Sequence, residues 1–185
     1  IADQGARVQA GGEGGSQDVT TAREIVDALG LEPNQTCGYV RVTFGSPLQL
    51  PAGTLPHPYT AARPLGSALY FLVAPEAPVR LHRIANDQLY HYYAGDPLDL
   101  VLMLPDGSTA QHVVGGDVLA GQVPQLLIPG GTFHTARVRG DWFLGGSTEW
   151  PGVVPSDVEL GDPDALVERF PDVAEQIRTY PVPSR

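Results

Sequence analysis

The stretch that decides the fold runs from His82 to Leu98 and reads H-R-I-A-N-D-Q-L-Y-H-Y-Y-A-G-D-P-L. A second stretch, Pro129 to His134, reads P-G-G-T-F-H. Runs of aromatic and branched residues that end at Gly, Pro or Asp are typical of short β-strands joined by turns. Alternate residues of a strand face the same side of its sheet, so His82 and Ile84 project together, and a hairpin partner adds further side chains. The two stretches therefore predict a β-sheet protein with histidines in its interior.

The composition of the whole chain also favours an all-β domain. The chain has 185 residues, of which 42% are hydrophobic and 17% charged, and it contains 22 Gly and 18 Pro. A chain of this length buries enough apolar surface to form one domain without disulfides. Short apolar runs bounded by Gly, Pro, Asp or Asn predict strands at residues 39–44, 68–73, 88–93, 98–104, 125–128, 135–138 and 142–145.

Helices are expected only near the two ends of the chain. Residues 1–17 are Gly-rich and polar, which predicts a disordered leader followed by a single domain over residues 18–185. A short helix is expected from Asp18 to Gly30, because apolar residues recur there near helical spacing and Gly is a common stop. A second helical stripe is interrupted by Pro171, which predicts two short C-terminal helices. Its members are Leu166, Val167, Phe170, Val173 and Ile177.

Charge and residue usage limit the partners. The formal net charge is -10, so nucleic acids and anionic membrane surfaces would repel the protein.

All 11 basic residues are Arg, and the lack of Lys excludes Schiff-base chemistry on a lysine. Cys37 is the single cysteine, which we interpret as a buried, inert thiol. No segment approaches the roughly 20 apolar residues of a membrane span, so we expect a cytoplasmic protein.

The spacing of the two histidine-containing stretches resembles the two motifs of the cupin superfamily. The first motif has a His-X-His pair followed by a Glu and a Gly, and the second ends in a His. In this chain they fall on His82, Ile84, Gln88 and Gly95, and on Pro129, Gly131 and His134. The superfamily motifs imply a divalent metal, but Ile84 and Gln88 replace two of its ligands. We therefore expect no cofactor; a metal, if present, would be held by His82, Gln88 and His134.

Further stretches resemble one family of that superfamily, Cupin_5, also called DUF985. They are S-A-L-Y-F-L at residues 67–72, the stretch from His82 to Leu98, W-P-G at 150–152 and S-D-V-E-L at 156–160. The resemblance covers roughly residues 18–180 and implies a cupin barrel, which is a double-stranded β-helix or jelly roll, and a homodimer. Glutamates of the family pattern are replaced here by Thr36, Val42 and Gln88. A less acidic cavity favours an uncharged, largely apolar ligand, because burying an unpaired charge is costly.

The candidate site residues are divided into two groups. The expected catalytic residues are His82, His134, Tyr90 and Gln88, since a neutral imidazole or a phenol transfers protons without a metal. The expected substrate contacts are Tyr92, Arg41, Phe133 and Tyr70. Tyr92 shares strand parity with Gln88 and Tyr90. For Arg41 the alternation leaves open which face of its strand lines the cavity. The Pro-rich loop of residues 46–64 is expected to cover the barrel mouth.

Three functions are compatible with these residues. The first hypothesis is a small-molecule enzyme of bacterial secondary metabolism, a metal-independent isomerase, epimerase or cyclase that holds a mostly apolar intermediate in the barrel. The second is a metal-dependent cupin oxygenase, which needs a full ligand set. The third is a noncatalytic metabolite-binding module.

Overall fold

The computed structural model describes residues 20–183, and the expected leader, residues 1–17, lies outside them. Its strands are β1 (Glu32–Pro33), β2 (Tyr39–Gly45), β3 (Gln49–Leu50), β4 (Arg63–Pro64), β5 (Ser67–Val73), β6 (Val79–Ile84), β7 (Asp87–Gly95), β8 (Leu98–Met103), β9 (Thr109–Val114), β10 (Gln125–Ile128), β11 (Phe133–Val138), β12 (Phe143–Trp150) and β13 (Val158–Leu160). The helices are α1 (Ala22–Leu29), α2 (Pro163–Arg169) and α3 (Ala174–Thr179). The predicted all-β fold with terminal helices is confirmed.

Two antiparallel sheets form the body of the domain. One has six strands in the order β1-β2-β5-β12-β7-β10, and the other has five in the order β13-β6-β11-β8-β9. The chain changes sheet at every step from β5 to β8 and again from β9 to β13. This winding is that of a jelly roll, in which the two sheets face each other and enclose the core.

Strand β8 shows why the core has two parts. Leu98, Leu100 and Leu102 belong to the cluster between the two sheets, whereas Val101 and Met103 belong to a second cluster with the C-terminal helices. A strand covered on both faces is apolar on both faces, which accounts for the nearly continuous hydrophobic run in β8. The C-terminal helices therefore cover the outer face of the five-stranded sheet.

The helices begin and end where local signals place them. Thr21 caps α1 and forms a capping box with Glu24, and Gly30 ends the helix with a φ of 61°. The helix was expected from Asp18, which lies outside the described residues; within them the helix begins at Ala22, after the cap residue Thr21. Pro171 separates α2 from α3, as predicted.

Two strands are longer than the sequence indicated: β6 begins at Val79, before His82 and Ile84, and β12 continues past Gly145. β6 contains the alternation V-R-L-H-R-I, in which two Arg side chains interrupt the apolar pattern. β12 continues to Trp150 through Gly145 and Gly146, where the expected strand ended. A Cβ at Gly146 would meet the ring of Tyr93, so glycine here allows a close approach rather than ending the strand. The loop of residues 46–64 contains the short hairpin β3–β4.

Candidate functional site

A cavity of about 440 Å³, called here the site cavity, lies between the two sheets. Its apolar wall includes Val40, Val42 and Phe44 from β2 and Leu69 and Phe71 from β5. Its polar side chains are Asn34, Thr36, Cys37, Ser67, His82, Gln88, Tyr90, Ser147 and Glu149. The volume is in the range of small-molecule pockets, and a mainly apolar wall with a few polar groups is typical of such sites.

His82 presents an unprotonated nitrogen to the site cavity. It lies on β6, is 2% exposed, and its Nδ1 is 2.8 Å from the carbonyl oxygen of Arg80. A carbonyl only accepts hydrogen bonds, so Nδ1 carries the proton and Nε2 keeps its lone pair. Burial lowers the pKa of His82 to about 4, and its hydrogen bond to Arg80 opposes this only in part. His82 is therefore a neutral imidazole at neutral pH.

His134 lies behind the cavity wall rather than on it. It is directly opposite His82 in the register of β11 and β6, and the two ring centroids are 4.1 Å apart. It is fully buried, and its Nδ1 is 3.4 Å from the carbonyl oxygen of Thr132, so its Nε2 also keeps the lone pair. Burial, followed by the neighbouring His82, holds the pKa of His134 well below its usual value.

Tyr90 connects His134 to the cavity. The Tyr90 hydroxyl donates to His134 Nε2 at 3.2 Å, and its oxygen lies 3.8 Å from Cys37 Sγ. Burial raises the pKa of Tyr90 well above its usual value, with further contributions from Cys37 and Glu149. The phenol is therefore neutral, and His134 fixes the direction of its proton.

Cys37 lies beside both His82 and Tyr90. Its Sγ is 4.0 Å from His82 Nε2, and the residue is buried, as expected. Burial raises the pKa of the Cys37 thiol to about 11. The thiolate that nucleophilic chemistry requires is thus disfavoured, even with an imidazole close by.

Glu149 is a buried carboxyl of the cavity wall that was not predicted from the sequence. This residue lies on β12 directly opposite Gln88 of β7, and it is 2% exposed. Its carboxyl accepts hydrogen bonds from Ser147 at 2.5 Å and from Ser67 at 2.7 Å. Burial raises the pKa of Glu149, and the two serine hydroxyls oppose this rise. The signal was the alternation S-T-E, which places Ser147 and Glu149 on one face once β12 continues past Gly146.

The four predicted substrate contacts do not line the site cavity, which corrects the expectation for their placement. Arg41 and Tyr70 alternate with cavity-lining neighbours and therefore face outward. The Arg41 guanidinium donates to the carbonyl oxygen of Leu29 at 2.7 Å. The Tyr70 ring meets Tyr93 edge-on, with centroids 5.8 Å apart.

Phe133 and Tyr92 also lie outside the cavity lining, each for a different reason. Phe133 alternates with His134 and belongs to the cluster beneath the C-terminal helices. Tyr92 does face the core, as its parity predicted, but it packs against Phe143 and donates its hydroxyl proton to the carbonyl oxygen of Gly95 at 2.8 Å. Of the four expected catalytic residues, His82, Gln88 and Tyr90 line the cavity and His134 lies behind it.

The residues present do not fit the divalent metal that the cupin motifs imply. Ile84 places an apolar side chain in the cavity where the motif has its second imidazole, and Gln88 provides a neutral amide in place of a carboxylate. Within residues 20–183 no cluster of three or more His, Cys, Asp or Glu side chains is arranged to hold a metal ion.

Two facing antiparallel sheets around a largely apolar cavity define a fold of the jelly-roll class. The chain belongs to the Cupin_5 family, Cupin superfamily (DUF985), which matches residues 23–161. This confirms the family inferred from the motifs.

Three similar proteins agree with this assignment. A hypothetical protein from Leishmania major has a TM-score of 0.77 at 25% identity, over 88% of this chain and 99% of that one. Protein SO0799 from Shewanella oneidensis has a TM-score of 0.76 at 26% identity, over 90% of this chain and 100% of that one. The uncharacterized yeast protein YML079W (Saccharomyces cerevisiae) is 25% identical over 123 residues, which are 63% of this chain and 61% of the yeast protein.

None of these three names states an activity, so the comparisons show the family and the fold. Within residues 20–183 no helix is both long and apolar enough to cross a membrane. The homodimer, the cytoplasmic location and the lack of a cofactor stay predictions.

Proposed function

We propose that this protein is a metal-independent isomerase, epimerase or cyclase that acts on an uncharged, mostly apolar intermediate of bacterial secondary metabolism. The observation that carries the proposal is the neutral imidazole of His82, buried in the wall of an otherwise largely apolar cavity. An unpaired charge on a ligand would be costly to bury there, whereas an apolar ligand gains from contact with Val40, Leu69 and Phe71.

His82 is the base of the proposed reaction. Its Nδ1 proton is held by the Arg80 carbonyl, which fixes the ring and leaves the Nε2 lone pair to accept a proton. Tyr90 and Gln88 orient the ligand: the Tyr90 proton is held by His134, so its oxygen offers a lone pair, and the Gln88 amide both donates and accepts. His134 is a positioning residue because it acts through Tyr90. The cavity adds to the rate by holding one reactive conformer.

The test uses cis-1-decalone, an uncharged bicyclic ketone that epimerises to its trans isomer when the carbon next to the carbonyl loses and regains a proton. The protein is incubated with this probe in D₂O, and deuterium content and isomer ratio are measured by mass spectrometry and gas chromatography. We expect exchange faster than in buffer, and a decrease of at least about 100-fold in the His82→Ala variant, the lower limit of typical acid-base contributions.

The matched control is His57→Ala, because His57 is an exposed histidine outside the cavity. This variant should exchange at the wild-type rate. Binding of the ketone without any exchange would refute the proposed enzyme and favour a metabolite-binding module. Equal rates in wild type and His82→Ala would remove His82 from the role of base.

A further inference from the structure

We propose that Glu149 is the acid that works opposite His82, and that the site cavity therefore takes a carbonyl compound with an enolisable C–H bond. This inference rests on the proposed function and names its substrate class. Neither the family match nor the similar proteins assign a role to this residue.

Glu149 and His82 lie on opposite walls of the cavity. Glu149 is on β12 in the six-stranded sheet, His82 is on β6 in the five-stranded sheet, and both line the same space. The side chains that contact His82 differ in chemical type from those that contact Glu149. His82 is surrounded by Cys37 and His134, whereas the Glu149 carboxyl is held by the hydroxyls of Ser67 and Ser147. A ligand between the two sheets would contact an imidazole on one side and a carboxyl on the other.

No cation balances the Glu149 carboxyl. Among the described residues that line the cavity there is no Arg, and the only imidazole is that of His82, which is neutral. Arg63 lies next to the cavity-lining Pro64, but its guanidinium is paired with Asp157 at 2.6 Å. A carboxylate without a counter-charge is expensive to bury, so the protonated acid is favoured.

The serine contacts leave that acidic proton available. Ser67 accepts a hydrogen bond from the backbone N–H of Val153 at 3.2 Å and donates one to Glu149 Oε2, and Ser147 donates one to Oε1. A carboxyl group has about four lone-pair sites, so two serine donors leave room for a proton that points at a ligand. The serines thus orient the carboxyl without occupying its donor position.

The pKa values of His82 and Glu149 are shifted in opposite directions from their ordinary values. Burial lowers the pKa of His82 and raises the pKa of Glu149. Two titratable groups in one cavity whose environments separate their pKa values in this way are the arrangement expected of an acid and base pair. Burial thus disfavours the charged form of each group, and an uncharged ligand adds no charge to the cavity.

The chemical step balances without a co-reactant. His82 Nε2 removes a proton from the carbon next to the carbonyl, so a C–H bond breaks and an N–H bond forms. The electron pair released forms a C=C bond, and the carbonyl oxygen takes the proton of Glu149, which gives a neutral enol. Protonated His82 then returns its proton to carbon, and the enol O–H returns its proton to Glu149. Return to a conjugated carbon gives a double-bond isomer, and return to the opposite face, after the planar enol has turned over in the cavity, gives an epimer. No oxidation or reduction occurs, and both residues end in their starting states.

The first measurement concerns the protonation of Glu149 and needs no substrate. The infrared spectrum at neutral pH is compared between wild type and Glu149→Gln. We expect wild type to show the carbonyl stretch of a protonated carboxylic acid, and the band to be absent from the variant. The matched control is Glu159→Gln, because Glu159 lies on β13 beside the cavity-lining Val158 but is exposed and paired with Arg83. That variant should keep the band. A wild-type spectrum without it would overturn the proposal.

The second measurement concerns the role in the reaction. Deuterium exchange into cis-1-decalone should fall at least about 100-fold in Glu149→Gln, which keeps the shape and a hydrogen-bond donor but has no acidic proton. Glu159→Gln should exchange at the wild-type rate. Exchange by wild type that Glu149→Gln retains would overturn this inference alone. Lack of exchange by wild type would overturn the proposed function and this inference with it. Because the amide mimics the neutral acid, the variant is expected to unfold at the wild-type temperature.

Discussion

Replacing His82 by Gln should reduce the dependence of folding stability on acid pH. The pKa of His82 is lowered by burial from 6.5 to about 4, so between these values the unfolded chain binds a proton there that the folded chain does not. The stabilising effect is therefore fully present above pH 6.5 and is lost as the pH falls towards 4. The interval is about 2.5 pH units at about 1.36 kcal/mol each, which amounts to about 3 kcal/mol for this one side chain.

The assay is urea denaturation at a series of pH values between 6.5 and 4, with the free energy of unfolding plotted against pH. His82→Gln lowers stability at every pH because it alters a buried side chain, so the slope carries the information. We expect the slope of the variant to be smaller than that of wild type by about 1.4 kcal/mol per pH unit in this interval. His134 and the carboxyl groups contribute to both curves, and their contribution largely cancels in the comparison.

The control is His57→Gln, which changes an exposed histidine and should leave the slope of wild type unaltered. Parallel curves for wild type and His82→Gln would refute the assignment of a neutral, buried imidazole. An NMR titration of the wild-type imidazole signals checks the same point without a substitution. A His82 signal that titrates near pH 6.5 would contradict the reasoning equally.

Two further predictions concern residues beside the site. Cys37 should react with a thiol reagent at pH 8 at least about 100-fold more slowly in the folded protein than in guanidinium, because burial raises the pKa of its thiol to about 11; equal rates would contradict its burial. Asp157→Asn should lower the free energy of unfolding by about 3–5 kcal/mol, since it leaves the guanidinium of Arg63 buried without a counter-charge. The exposed pair Arg83 and Glu159 is the control, where Glu159→Gln should cost less than about 1 kcal/mol in the same denaturation experiment.

Local signals in the sequence were sufficient to predict most of the helices and strands. Gly30 and Pro171 end their helices because of backbone conformation, which depends on the residue itself. The apolar runs in β5 and β8 were predicted because β8 is buried along nearly all of its length and β5 in its second half. Strand β6 was recognised only at His82 and Ile84, because Arg80 and Arg83 alternate with its buried residues and interrupt the apolar run.

The site was harder to predict because its position depends on contacts between distant strands. On β2 the sequence offers two alternating sets, and only the opposing sheet decides that Val40 and Val42 face inward while Arg41 faces outward. Glu149 was missed because Gly145 and Gly146 resemble a turn in the sequence. In the structure they admit neighbouring side chains at close range, and the strand continues beyond them.

The order of strands in the six-stranded sheet has a consequence for synthesis on the ribosome. β12 pairs with β5 on one side and β7 on the other, yet it is made about 50 residues after β7. Until it emerges, the hydrogen-bonding edges of both neighbours are open to other chains. Glu149 arrives with this same strand, so the site cavity obtains its buried carboxyl only when the sheet closes. A folding intermediate that lacks β12 would be prone to aggregate and would lack part of the wall of the site cavity.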